Sequence, residues 1–98
     1  MKLTELNPKW INGPDGRSGV GVRFWCPCCN GGCVLAVLST NPIDGGPAIP
    51  AGANLMGENQ GRRWGRTGET FETLSITPSI DASPEHWHGF ITNGDATP

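Results

Sequence analysis

Apolar and polar residues alternate most clearly in the first third of the chain. From Val20 to Cys26 every second residue is apolar, while Arg23 and Trp25 lie between them on the opposite side. Because successive side chains of an extended chain point to opposite faces, this period of two predicts a half-buried β-strand.

A second apolar run follows the turn signal Asn30-Gly31-Gly32. Residues 33–38 form a short run rich in Val and Leu, which favours a buried strand over a helix. We therefore expect residues 19–28 and 33–39 to form a hairpin that carries the cysteines at its tip.

Two more strands are predicted in the second half of the chain. Residues 69–77 are rich in Thr and alternate in hydrophobicity until Pro78 breaks the pattern. Residues 88–92 form the last predicted strand, which ends at Asn93-Gly94, a strong turn signal.

The remaining segments lack such periodicity. Residues 1–17 read as a polar, turn-prone lead-in, and residues 40–68 read as a long loop rich in Gly and Pro. No internal repeat or amphipathic helix is apparent. The pattern predicts a mainly β fold, with residues 1–98 forming one small domain whose antiparallel sheet or sandwich has about four to six strands.

Composition adds that such a small core needs reinforcement. The chain has 98 residues with 15 Gly and 9 Pro, but its four Trp and three Phe argue against full disorder. A core of this size usually gains stability from disulfides or a metal ion. Clustered cysteines and histidines are the material that either would use.

Two one-spaced pairs of metal-binding residues dominate the candidate chemistry. They are Cys26 and Cys28, and the only two histidines, His86 and His88. On a strand, residues i and i+2 share a face, so Cys26 and Cys28 continue the inward face of the first strand. Two such pairs on two strands predict a Cys₂His₂ zinc site that joins the two halves of the chain.

Two further cysteines leave the ligand set open. Cys29 completes a two-spaced pair with Cys26, and Cys33 offers another sulfur, so either is a substitute ligand. The alternatives are that both are small apolar residues at a turn, that the histidines are surface side chains, or that Cys29 and Cys33 form a disulfide. The chain shows no secretory signal or membrane-spanning run, so we expect cytoplasmic location and reduced thiols, which favours metal.

Charge argues against general nucleic-acid binding. The formal net charge is −2 and the only basic cluster is Arg62, Arg63 and Arg66 around Trp64. One interpretation is an exposed binding loop in which Trp64 anchors a partner protein; another is stacking on a nucleic-acid base; a third is that Trp64 packs on the core. We expect no specific nucleic-acid binding at physiological salt.

Catalytic motifs are missing. HExxH is absent, and the zinc deaminase pattern fails in both spacing and order. Glu85, next to His86, is the nearest candidate general base for a zinc-bound water. A binding module with structural zinc is therefore the leading functional prediction, and a zinc-dependent hydrolase using Glu85 is the alternative.

Several segments together resemble a family of small uncharacterised proteins of bacteriophages and prophages. These segments are residues 22–28, 41–46, 64–74, 78–80 and 86–94. The resemblance runs from about residue 19 to 95 and implies a zinc site at the CxC and HxH positions; Cys29 and Cys33 depart from it. It also implies a phage-associated setting, and therefore the host cytoplasm. Together with the missing catalytic motifs, the acidic pI and the long 40–68 loop, this predicts an accessory or inhibitor protein that engages a host or defence protein, or another phage protein, through exposed loops. The resemblance names no activity and leaves homo-oligomerisation open.

Overall fold

Seven short β-strands supply most of the regular structure in the computed structural model, which describes residues 1–13, 16–29, 32–49 and 62–98. A single 3-10 turn, Leu3–Leu6, precedes them. The strands are β1 (Lys9–Ile11), β2 (Gly21–Trp25), β3 (Val34–Leu38), β4 (Gly65–Thr67), β5 (Ser75–Asp81), β6 (His88–Thr92) and β7 (Asp95–Thr97).

The strands form two antiparallel sheets. One contains β1-β2-β3 in that order and the other β4-β5-β6-β7, so neighbours in sequence are neighbours in space. This confirms the prediction of a mainly β fold. Within the described ranges, no helix is long and apolar enough to cross a membrane.

The β2–β3 hairpin has the predicted alternation. Val22, Phe24 and Cys26 are buried, whereas Arg23 and Trp25 are exposed. β2 pairs along its whole length with β3, so the two strand ends next to the cysteines lie side by side. Of the turn predicted between these strands, Asn30 and Gly31 lie outside the described residues.

The first residues, which the sequence predicted as part of a polar lead-in over 1–17, belong to the folded structure. Leu3 and Leu6 are buried in the core, and β1 pairs with β2 from Lys9 to Ile11. The buried positions of Leu3 and Leu6 could not be recognised in the sequence, because a 3-10 turn of four residues is too short to show a hydrophobic period.

The segment predicted as one long loop, 40–68, also contains ordered pairing. β4 pairs with β5, and Ser39 forms an isolated bridge with Trp64 that links the end of β3 to the start of β4. Residues 50–61 of the predicted loop lie outside the described residues.

The second sheet differs from the prediction at both ends of β5. The predicted strand 69–77 begins only at Ser75, and it continues past Pro78 to Asp81 with an irregular register between Ile76 and Ile80. Proline is tolerated here because the ladder is interrupted at that point. β6 covers the predicted residues 88–92.

A tight turn joins β6 to β7, a strand that was not predicted. Asn93 and Gly94 have φ values of 48° and 77°, the left-handed pair that two-residue hairpin turns require. The turn signal was recognised in the sequence, but three residues, Asp95–Thr97, are too few to show alternation.

The main hydrophobic core contains residues of both sheets. Phe24 and Val37 come from the first sheet, and Ile76 and Ile91 from the second, and all four are almost fully buried. Cys26 belongs to the same cluster with no exposed surface. The candidate metal ligands therefore begin at the edge of the core.

Candidate metal centre

A turn after β2 gathers three cysteine side chains. The Cys29 N–H donates to the carbonyl of Cys26 over 3.1 Å, and the Cys26 N–H donates to the carbonyl of Cys33 over 2.9 Å. The Sγ of Cys28 consequently lies 3.2 Å from that of Cys26 and 3.3 Å from that of Cys29.

This turn changes the predicted direction of Cys28. The i, i+2 rule needs an extended chain, but the backbone turns at Pro27, so Cys28 is exposed instead of continuing the inward face. The turn instead favours the two-spaced relation between Cys26 and Cys29, which a zinc knuckle uses.

The fourth donor comes from the connection between β5 and β6. The His86 N–H donates to the carbonyl of Ala82, and the Ala82 N–H donates to that of Trp87, each over 3.0 Å. These bonds hold the His86 ring with its Nδ1 3.1 Å from the Sγ of Cys29, a residue 57 positions earlier in the chain.

Together these side chains form a group suited to a metal ion. No two donor atoms of Cys26, Cys28, Cys29 and His86 lie more than 4.8 Å apart. Corners of a tetrahedron around Zn²⁺ with sulfur and nitrogen ligands are about 3.5–3.8 Å apart. The group therefore needs only small side-chain adjustments to enclose one ion.

Only one of the two histidines, His86, lies with the cysteines. His88 begins β6 and follows its exposed side, where its Nε2 lies 3.3 Å from the Oγ of Ser79 and its Nδ1 lies 3.9 Å from Asp81. Of the predicted Cys₂His₂ donors, the structure brings together Cys26, Cys28 and His86, and the fourth donor beside them is Cys29, one of the substitute ligands, and not His88. The two histidines do not share one face of a strand, because His86 precedes β6 and only His88 lies in it.

Cys33 lies beside the group and outside it. Its side chain is hydrogen-bonded to that of Cys29, and all four cysteines are free thiols. The alternative of a Cys29–Cys33 disulfide is therefore not what the structure has. The signal for Cys29 was present in the sequence as its two-residue spacing from Cys26.

The surroundings give two of the thiols opposite acidities. Burial opposes ionisation of Cys26, but hydrogen bonds from the backbone N–H of Trp87 and from the side chain of Cys28 outweigh it and lower its pKa. The pKa of Cys29 is raised because its thiol is hydrogen-bonded to Cys33, and then to Cys28. A bound divalent cation stabilises all neighbouring thiolates, so metal binding would release the proton of Cys29.

An aromatic contact fixes the β5–β6 connection that carries His86. Trp87, next to His86, is buried and meets Phe24 edge-on with ring centroids 6.3 Å apart. Since Phe24 belongs to β2, this contact ties the His86 segment to the strand that leads to Cys26. Core packing, as well as contacts between the donors themselves, therefore holds His86 close to the cysteines of the turn after β2.

A cavity of about 370 Å³ borders the group on the side of β3. His86 and Cys33 contribute to its wall, together with Arg62 and Asp81. Glu85, the predicted general base, is exposed and is not a member of the four-donor group.

The second predicted site, around Trp64, has a different structure from the exposed loop expected. Trp64 is only 5% exposed, and its indole N–H donates to the carbonyl of Ser79 over 3.2 Å. Its large apolar surface gains more in the core than in water, so it is not available as an anchor for a partner. The alternative in which Trp64 packs on the core is the one that the structure has.

The neighbouring arginines also have intramolecular partners. The guanidinium of Arg63 donates to the carbonyl of Ile49, and that of Arg66 donates to the carbonyl of Asn41 over 3.0 Å. Arg62 is exposed and lines the cavity beside His86. The three residues do not present one uniform basic surface.

In comparisons with known proteins, no family model, curated protein or solved structure matches this chain.

Proposed function

We propose that the protein is a small zinc-binding module in which one Zn²⁺ joins the β2–β3 hairpin to the β5–β6 connection. The observation that carries this proposal is the convergence of Cys26, Cys28, Cys29 and His86 within 4.8 Å. Thiolate and imidazole ligands select zinc over hard cations such as Mg²⁺ and Ca²⁺, and the Cys₃His set is a common structural zinc site.

Charge balance is consistent with this assignment. Three thiolates and a neutral imidazole around Zn²⁺ leave one net negative charge, which must be stabilised. The backbone N–H groups of Trp87 and Cys28 are hydrogen-bonded to the sulfur of Cys26, the most buried ligand. The exposed Cys28 leaves part of the charge in contact with water.

A structural role for the ion is favoured over a catalytic one. Four protein donors complete a tetrahedron, whereas a catalytic zinc keeps one position for water or substrate. The hydrolase alternative is supported by the cavity next to His86, which offers room for a substrate. It would require one of the four side chains to stay unbound and Glu85 to turn towards the ion.

The partner remains part of the proposal. We propose that the module binds a host or phage protein, in keeping with the phage-associated setting that its resemblance implies. Among the described residues, Trp25 and Val34 are exposed apolar side chains that face each other across β2 and β3, beside the metal group. They replace Trp64 as the proposed apolar contact, because Trp is frequent at the centres of protein interfaces.

The test of the zinc proposal is metal content followed by chelation. Protein purified without added metal should contain about one equivalent of zinc, because the four donors make one site. The ion would close a loop between the cysteines and His86, which lies 57 residues after Cys29. Closing a loop of this length stabilises a folded chain by about 4 kcal/mol, so chelation should lower the melting temperature by roughly 15–30 °C. Substoichiometric zinc together with an unchanged melting temperature in chelator would refute the proposal.

A further inference from the structure

The four donors of the metal group differ in their contact with solvent. Cys26 has no exposed surface, and Cys29 and His86 are half-buried, whereas Cys28 is exposed. An oxidant dissolved in water therefore reaches the sulfur of Cys28 before the others. Exposure and thiolate character are the two properties that decide which cysteine is oxidised.

A second thiol lies in position to react with an oxidised Cys28. The Sγ atoms of Cys26 and Cys28 are 3.2 Å apart, and those of Cys28 and Cys29 are 3.3 Å apart. A disulfide needs Cα atoms about 4.4–6.8 Å apart, and adjacent residues on a trans peptide are held at about 3.8 Å. The geometry therefore favours Cys26 over Cys29 as the partner of Cys28.

We propose that Cys28 is a site of oxidation by hydroperoxides, and that it forms a disulfide with Cys26 and releases the zinc ion. This inference rests on the proposed function, since it concerns the same metal group. Cys28 attacks one peroxide oxygen, which breaks the O–O bond and forms a sulfenic acid and one molecule of water. Cys26 then attacks the sulfenic sulfur, and its oxygen leaves as a second water.

The overall reaction balances. Two zinc-bound thiolates, one hydrogen peroxide and two protons give one disulfide, two waters and one free Zn²⁺. The two sulfurs lose one electron each, and the peroxide gains both. Only Cys29 and His86 then remain of the four donors, and two ligands do not hold zinc tightly.

The consequence is an ion whose binding depends on redox conditions. Release of zinc removes the link between the β2–β3 hairpin and the β5–β6 connection, while the core contacts of Phe24 and Trp87 remain. A dithiol reductant reverses the disulfide, after which added zinc restores the link.

The experiment treats the zinc-loaded full chain with hydrogen peroxide. Zinc release is followed with a coloured chelator, and the thiols that remain are alkylated and located by mass spectrometry. We expect about one zinc released per disulfide formed, a loss of about two mass units, and alkylation at Cys29 and Cys33 only. Treatment with a dithiol should restore alkylation at Cys26 and Cys28.

Two variants sharpen the test. Cys28→Ser should slow peroxide-driven zinc release at least about tenfold, because it removes the exposed sulfur. Cys33→Ser is the matched control, since Cys33 is also a free thiol but lies outside the four-donor group, and its release rate should equal that of the parent. The alkylation pattern of the parent chain decides the question even if Cys28→Ser binds zinc poorly.

The outcomes separate the two proposals. Zinc content is measured before peroxide is added, so a zinc-free protein overturns the proposed function and with it the release of zinc, whereas the alkylation pattern still tests the oxidation of Cys28 and its disulfide with Cys26. If zinc is bound, a disulfide between Cys29 and Cys33, or zinc retained while Cys28 is oxidised, overturns the proposal about Cys28.

Discussion

At the scale of single residues, the two histidines differ in what they contact. His86 lies 3.1 Å from the Sγ of Cys29, whereas His88 contacts Ser79 and Asp81 on the exposed side of the second sheet. Replacing a direct ligand costs more than the 10–100-fold in affinity that is typical of groups that only orient a ligand, so His86→Ala should weaken zinc binding by more than about 100-fold.

His88→Ala is the matched control for this prediction and should leave zinc affinity within about threefold of the parent, because surface substitutions usually have small effects. Competition titrations against a chromophoric chelator measure both variants. Equal losses in the two variants, or a larger loss in His88→Ala, would contradict the ligand set and restore the HxH interpretation.

The tryptophans provide a second comparison between single residues. Trp64 is 5% exposed and Trp25 is 38% exposed. Trp64→Ala removes a large buried side chain and should lower the free energy of unfolding by about 3–5 kcal/mol, whereas Trp25→Ala should cost less than about 1 kcal/mol. Urea unfolding at saturating zinc checks this, and a Trp64 variant as stable as the Trp25 variant would show that the indole is not in the core.

At the scale of elements, the β6–β7 turn has a strict demand for glycine. Gly94 has φ of 77°, and a Cβ there would overlap the carbonyl oxygen of Glu72. Gly45 has nearly the same φ of 79°, but a Cβ there would meet nothing within 4 Å. The two positions therefore share the conformational penalty and differ only in steric overlap.

This pair gives a prediction about the turn. Gly45→Ala should cost about 1 kcal/mol for the left-handed conformation, and Gly94→Ala should cost at least about 2 kcal/mol more because backbone atoms must also shift. Thermal unfolding of the two variants measures the difference. Equal destabilisation would mean that the β6–β7 turn does not lie against the carbonyl of Glu72.

The elements that sequence predicted are those with enough residues to show a period. β2 and β3 have five residues each, and the alternation from Val20 to Cys26 identified the buried side, including Cys26 as an inward side chain. β4 and β7 have three residues each, and their pairing depends on distant partners that local pattern does not reveal.

The candidate site was predictable in composition but not in arrangement. The CxC and HxH spacings assume extended strands, and both assumptions failed where the chain turns, at Pro27 and before His88. Which donors meet depends on contacts such as Trp87 on Phe24, which join segments far apart in sequence. Such contacts are set by packing and are not encoded in local spacing.

At the scale of the whole molecule, the net charge and the contacts of the arginines bear on nucleic-acid binding. The absence of specific binding stays a prediction. The net charge is −2, and Arg63 and Arg66 are hydrogen-bonded to backbone carbonyls. We expect no binding tighter than micromolar to single- or double-stranded DNA or RNA at about 150 mM salt, because few phosphates would be neutralised. Fluorescence anisotropy tests this, and submicromolar binding at that salt would contradict it.

The two sheets are joined by one observed link and one proposed link. One is the core cluster that contains residues of both sheets, and the other is the proposed zinc ion between the turn after β2 and the β5–β6 connection. The proposed ion has four ligands: three sulfurs from residues 26–29 and one nitrogen from His86, with no bound water.

X-ray absorption spectroscopy at the zinc edge measures that ligand set most directly. We expect three sulfurs at about 2.3 Å and one nitrogen at about 2.0 Å, with the nitrogen contribution lost in His86→Ala and kept in His88→Ala. A first shell of two sulfurs and two nitrogens would instead indicate the Cys₂His₂ site, and a shell with an oxygen ligand would indicate an open, catalytic ion; either result would contradict the closed Cys₃His centre.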